Sequence, residues 1–211
     1  MLKKLAGFFV ARNTQSMKSI TKEAMDQLFT EARTHSAWHN EAVTDETLRR
    51  LFELLKWAPT SANCNPARLI FVKTPAAKAK LLSEVAPGNI EKTKSAPITA
   101  IIAQDMEFYE QLPKMFPITD ARAWFVGNST LIENTAFRNS SLQGAYLILA
   151  ARAVGLDCGP MSGFDNVKMD NLFFEGTKWK SNFLCNLGYG DSSKLFPRLP
   201  RLSFDEACKI A

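Results

Sequence analysis

Ala58-Pro59-Thr60-Ser61-Ala62-Asn63-Cys64-Asn65-Pro66-Ala67-Arg68 is the stretch on which the reading of this chain turns. A strongly amphipathic helical pattern precedes it, and Leu69-Ile70-Phe71-Val72, an apolar run of strand character, follows. With two prolines and two asparagines it can extend neither element. Pro59 ends the helix, and Pro66 biases Asn65 towards extended backbone. Thr60, Ser61, Asn63 and Asn65 offer hydroxyls and amides that both donate and accept hydrogen bonds. That suits the edge of a heterocycle with alternating donors and acceptors, a flavin or a base. A well-capped helix-to-strand connection has the same composition, so the segment alone leaves both readings open.

Upstream, Thr21 is placed to cap a helix whose apolar residues Met25, Leu28, Phe29 and Ala32 follow i, i+3, i+4, i+7. Asp45 is placed to cap a second, with Leu48, Leu51, Phe52 and Leu55 as an apolar stripe bound for the core or a subunit interface. Downstream, the pattern predicts a strand over 69–73, a helix over 75–85 and a buried strand over 98–103. Residues 105–127 break the periodicity, with Phe108, Tyr109, Phe116, Trp124 and Phe125 set among Pro113, Pro117, Asp120 and Arg122. Such an insertion is either a lid or substrate wall, or a packed loop. Thr130 and Glu133 have capping-box spacing and open a long helix to about Val154, with Gly155 as its stop. A last strand covers 181–189. The Gly188-x-Gly190 that ends it has neither dinucleotide-fingerprint nor P-loop spacing.

Composition narrows the classes. Of 211 residues, 46% are hydrophobic and 22% charged, which suits a globular domain. The net charge of +5 comes from scattered Lys and Arg with no basic run, so nucleic acid is disfavoured. A few arginines around a small anionic ligand account for the surplus as well. No stretch reaches the length of a membrane span. Cys64, Cys158, Cys185 and Cys208 form no C-x-x-C or zinc spacing and read as free thiols in a reducing cytoplasm. His35 and His39, four apart, could hold a metal on a helix face, but no third ligand accompanies them, so no metal site is expected. Residues 1–16 imitate a signal peptide weakly, with Lys3, Lys4 and a short apolar run interrupted by Arg12. They are read as an extension, leaving one domain over 17–211. No Ser-His-Asp order or paired-carboxylate signature stands out, which points to a cofactor that carries the chemistry.

The segment Pro59–Pro66 resembles the Pro-Ser-Ser-x-Asn-x-Gln-Pro segment of the nitroreductase family of flavoproteins. Gly159-Pro160-Met161-Ser162-Gly163-Phe164 resembles that family's Gly-Pro-x-x-Gly-Phe segment. Arg33-Thr34-His35 looks like the counterpart of its Arg-Arg-Ser-type phosphate segment, with Thr34 where a second arginine is frequent. The tail Lys194–Arg201 resembles the basic segment that completes the phosphate site, Arg201 matching better than Arg198. The likeness runs from about Glu23 to the C-terminus. It is nearest to the malonic semialdehyde reductase branch, associated with pyrimidine breakdown.

The resemblance implies an α+β fold, a mixed sheet flanked by helices, in an obligate homodimer whose C-terminal strand joins the partner's sheet. It implies FMN held non-covalently at the interface, with NADH or NADPH as electron donor. Hydride would pass through flavin N5 to a small aldehyde, malonic semialdehyde giving 3-hydroxypropionate. The implied cofactor contacts are Pro59, Thr60, Ser61, Asn63 and Asn65 in the first motif and Arg33, Thr34 and His35 upstream. Pro160, Met161, Ser162 and Gly163 follow, with the Ser162 N–H towards N5, and then Arg198 and Arg201 in the tail. Gly159 and Gly163, lacking Cβ, would let main chain approach a flat ligand. Arg122 is the candidate for a substrate carboxylate, with a structural pair to Asp120 as its alternative. Three rival readings stay open: a sibling reducing nitroaromatics, quinones or enals, a flavin-binding protein without turnover, and a plain nucleotide-binding module.

Overall fold

Thr21 starts the first helix as expected: its hydroxyl accepts from the Ala24 N–H at 3.2 Å, opening α1 (Lys22–Met25). The helix then widens into a π-turn over Asp26–Thr30 and leaves Phe29 exposed. The structure, a computed structural model, describes residues 18–211, so the reading of residues 1–16 lies outside the described residues. Helix α2 (Asp45–Leu55) is capped by Thr44, whose hydroxyl accepts from the Thr47 N–H, one residue before the expected Asp45. Asp45 instead occupies the first turn, where its charge suits the helix dipole and pairs with Lys73 at 2.7 Å. Leu48, Leu51 and Leu55 are buried, but Phe52 stays 48% exposed.

Four antiparallel strands follow: β1 (Ala67–Val72), β2 (Ile98–Asp105), β3 (Asp157–Met161) and β4 (Trp179–Gly188), in the order β1-β2-β4-β3. A parallel bridge from Thr34 to Cys158 adds a different pairing at the β3 edge. β2 is central, and helices cover both of its faces, which is why Ile98–Ala103 is apolar without alternation. Ala100 and Ile102 pack beneath α2 and α6 (Ser129–Ala153), through Leu51, Leu147 and Ala151. Ile101 and Ala103 face the other way, on to Leu81 of α3 (Pro75–Leu82) and Met169 of α7 (Asn166–Phe173).

Helix α6 is capped by Asn128, which accepts from the Leu131 N–H at 3.0 Å, rather than by Thr130. It stops at Gly155, whose φ of +86° is available to glycine without strain. β3 is a strand where a turn is the simpler reading of Gly159-Pro160. Proline is tolerated there because β3 lies at the sheet edge. The short helices α4 (Ile90–Ser95) and α5 (Leu112–Met115), like α7, lie outside the predicted elements. The 106–127 insertion is packed rather than loose: Phe108 and Phe125 meet edge to face at 4.9 Å and bury Cys64 beside Ala136 of α6. After Ser192–Lys194 the tail runs without a strand to α8 (Phe204–Ala207) and exposes Phe196, Leu199 and Leu202.

Candidate functional site

The segment between α2 and β1 has a shape imposed by α6. Asn139 and Gln143, one turn apart and both buried, reach it from below. Asn139 Oδ1 accepts from the Ser61 N–H at 2.9 Å, and Gln143 Oε1 accepts from the Ala67 N–H at 2.8 Å. Gln143 Nε2 also donates to Asn65 Oδ1 at 3.3 Å. Thr60 accepts from the Asn65 N–H at 3.2 Å. Between these anchors Ala62, Asn63 and Asn65 take positive φ of 48°, 49° and 41°. Backbone strain of this kind concentrates at functional segments, and asparagine tolerates it best after glycine.

The amides expected to meet a ligand are engaged within the chain. Asn65 Nδ2 donates to Asn63 O and Oδ1 at 2.7 and 2.8 Å, and Asn63 Nδ2 donates to Met115 O at 2.8 Å. Their outer surfaces line a cavity of ≈ 610 Å³ with Trp57, Phe71 and Trp179. Arg68 underpins it, donating to Asn65 O at 3.0 Å and to Asp105 Oδ2 at 2.7 Å. Pro59 and Ser61 are exposed beside it. Burial pushes the Cys64 thiol up to about 11, which rules it out as a nucleophilic thiolate near neutral pH.

At the opposite edge of the sheet a second cavity, of ≈ 520 Å³, gathers Arg33 and Thr34 from the α1–α2 connection with Arg198 and Arg201 from the tail. Residues from both ends of the domain therefore meet as the resemblance implies. Arg33 donates to Phe196 O, and Arg198 donates to Ala32 O at 3.3 Å. Arg152, at the end of α6, also lines this cavity and was not anticipated. A cation in the last turn of a helix is ordinary complementation of the dipole; nothing local in the sequence marks it as a site residue.

His35 departs from its expected place. Its segment is not helical, and the ring is 4% exposed, with Nε2 3.3 Å from Asp157 Oδ1. The Thr34–Cys158 bridge sends consecutive side chains to opposite sides, so Thr34 meets the cavity and His35 turns inward. The exposed His39 shares no helix face with it. The two glycines serve different neighbours from those expected. A Cβ on Gly159 would lie 2.5 Å from His35 O, and one on Gly163 would lie 2.4 Å from Asn89 Nδ2. Each keeps room for its own chain. The Ser162 N–H, just past β3, donates to no acceptor among the described residues and so is open to a ligand. Pro160 is exposed next to it, and Met161 is braced by the Thr93 hydroxyl at 3.4 Å.

Arg122 is not a free cation. Its Nε and Nη2 both donate to Glu110 at 2.7 Å, a fork-on-carboxylate pair that also displaces the Asp120 alternative. The Glu110 carboxylate holds the guanidinium's pKa up, and the guanidinium holds the Glu110 pKa down.

The motif at β1 and the arginine cavity at β3 lie on opposite edges of the four-stranded sheet. Three strand intervals separate them, roughly 14 Å at the usual spacing, and no residue lines both cavities.

An antiparallel sheet between helices, a strained amide-rich segment at one edge and a carboxylate-free arginine cavity at the other describe an α+β protein with two separate candidate sites. The chain belongs to the nitroreductase family, whose model matches residues 29–189. A relative from Polynucleobacter asymbioticus, provisionally named NADH dehydrogenase/NAD(P)H nitroreductase, is 62% identical over 191 residues, covering 90% of this chain and 97% of its own. One of the same name from Rhodopseudomonas palustris is 61% identical over 186 residues, covering 88% and 95%. A solved structure from Exiguobacterium sibiricum, provisionally described as a nitroreductase in complex with FMN, shares the fold with a TM-score of 0.79. It is 19% identical and covers 93% of this chain and all of that one. Among the described residues no helix is long and apolar enough to cross a membrane.

Proposed function

We propose that this protein is an FMN-dependent NAD(P)H oxidoreductase whose cofactor lies between two copies of the chain. The observation that carries the reading is the arginine cavity. None of its four guanidinium groups makes an ion pair among the described residues, and no carboxylate lines it. A phosphate monoester brings about −1.5 to −2 charges at neutral pH and three acceptor oxygens. It therefore fits this donor set.

In this reading Arg33, Arg198 and Arg201 hold the phosphate, with Thr34 supplying a hydroxyl. The Ser162 N–H, free of internal partners, orients the ring edge and stabilises negative charge there. The amide segment of residues 59–65, held rigid by Asn139 and Gln143, comes from the partner and closes the other side. When bound, FMN supplies the hydride chemistry at N5, taking two electrons from NADH or NADPH and passing them on. The side chains bind, orient and exclude water.

Three observations support the dimer. The half-sites sit at opposite edges, Phe29, Phe52 and Phe137 are exposed on helices and Trp57 on the turn after α2, and the tail exposes three large apolar residues. The same tail is the segment proposed to join the partner's sheet. The free thiols support a reducing compartment, the cytoplasm.

Malonic semialdehyde is the narrower substrate reading, and it rests on the sequence resemblance. Its carboxylate would have to displace Glu110 from Arg122. The comparison is kcat/KM for a carboxylated and an uncharged aldehyde in wild type and Arg122→Ala. With Glu110 already filling the fork, the ratio should stay within about twofold. A selective fall of about tenfold or more would return Arg122 to the substrate site.

The cofactor reading is tested by spectrum and reduction. Reconstituted protein should retain flavin absorption near ~450 and ~370 nm and lose the ~450 nm band on anaerobic addition of NADH or NADPH. Protein that fails to retain FMN would overturn it. Retained flavin that stays oxidised would leave a binding protein without turnover.

A further inference from the structure

We propose that Arg152 is a fourth phosphate-binding residue of the arginine cavity, set on the rigid core while the other three lie on connecting chain. The proposal rests on the cofactor reading above. Arg33 belongs to the connection after the π-turn, and Arg198 and Arg201 to the extended tail. Arg152 is in the last turn of α6, a helix of 25 residues packed against the sheet.

Its guanidinium is fixed from one side only. Nη1 donates to Leu28 O at 2.7 Å, while Gln27 Nε2 donates to the Arg152 carbonyl at 2.6 Å. The buried Nε has no acceptor among the described residues. A buried charged donor without a partner is rare in folded chains, because it loses water and gains nothing in return. No hydrogen bond from Nη2 is found among the described residues, and no carboxylate lines the cavity. Arg152 thus lines, with its Nη2 uncommitted, a space that already collects three other cations. Like charges are brought together at a cost unless an anion separates them. The tail arginines, Arg198 with one backbone-carbonyl contact and Arg201 with two to its own neighbours, can then fold over an anion that Arg152 has already positioned.

The test uses apo-protein titrated with FMN and with riboflavin, which lacks the phosphate. Arg152→Met should raise the FMN dissociation constant by about 10–150-fold and leave riboflavin binding within about twofold. Arg152→Lys keeps the charge and a donor for Leu28 O but presents a single head, so its loss should be smaller. In parallel, millimolar inorganic phosphate should raise the melting temperature of wild-type apo-protein and not that of Arg152→Met. Equal losses for FMN and riboflavin would overturn the assignment and make Arg152 a support of the fold. Unchanged FMN binding in folded Arg152→Met would also overturn it. Where Arg152→Met does not fold, Arg152→Lys with wild-type FMN affinity would do the same. Wild-type protein without preference for FMN over riboflavin would sink the cofactor reading itself, and this assignment with it.

Discussion

Arg201 and Arg122 carry the same charge in opposite settings. Arg122 has its carboxylate, whereas among the described residues Arg201 donates only to the carbonyls of Leu199 and Pro200, at 3.0 Å each. Arg201→Ala should therefore weaken FMN binding by about 10–150-fold, the worth of one charge-assisted hydrogen bond, with riboflavin almost insensitive. Parallel losses in a titration of both ligands would assign Arg201 to the fold. At this scale the sequence was legible where function comes as a contiguous motif. Arg33, Thr34, Arg198 and Arg201 converge as the resemblance implied. The inward turn of His35 was not legible, because motif likeness says nothing about which side of a bridge a side chain takes. Arg152, Asn139 and Gln143 lay hidden inside a helix where scattered polar residues look like ordinary surface positions.

Among the elements, α6 decides the shape of the segment it never touches in sequence. Gln143→Leu removes the acceptor of the Ala67 N–H and the donor to Asn65, in a part-buried setting. A loss of about 1–3 kcal/mol in urea unfolding is expected, as for an orphaned buried donor, with weaker FMN binding. No change in either would mean the segment holds its strained turn unaided. On the other face Lys78 ties α3 to β2: Nζ donates to Thr93 O, Ala96 O and Thr99 Oγ1 at 3.1, 3.0 and 2.8 Å. Thr99 passes the chain on to Asn186 at 2.7 Å. Burial lowers the Lys78 pKa from 10.5 to about 8. Between those limits the unfolded chain holds a proton that the folded chain has lost, so stability rises with pH across that window. Relative to Lys78→Met, the wild type should gain on the order of 2 kcal/mol from pH 8 to 10.5. A flat difference between the two unfolding curves would exclude the linkage. Long apolar elements such as α2, β2 and β4 were legible because burial on one or both faces writes a pattern. β3 was not, since glycine and proline signal a turn unless one knows the strand lies at an edge. The polar α4, with two lysines in six residues, carries no periodicity to read.

For the whole molecule, the division of the proposed site between two sheet edges matters more than any single contact. One chain's sequence shows both halves but not the distance between them, because order along the chain does not reveal strand order in the sheet. That division has a consequence in genetics. Take one allele crippled in the arginine cavity by Arg33→Ala with Arg201→Ala, and another crippled in the amide segment by Asn65→Ala. Each alone makes dead homodimers under the two-chain reading. In a cell expressing both, a mixed dimer pairs the good cavity of one product with the good segment of the other. It also places the two lesions together in its second site. A symmetric interface between randomly assorting subunits then restores about a quarter of the normal sites. Two null alleles should complement each other, and failure to do so, with mixed dimers shown by tagged co-purification, would place both halves of each site in a single chain.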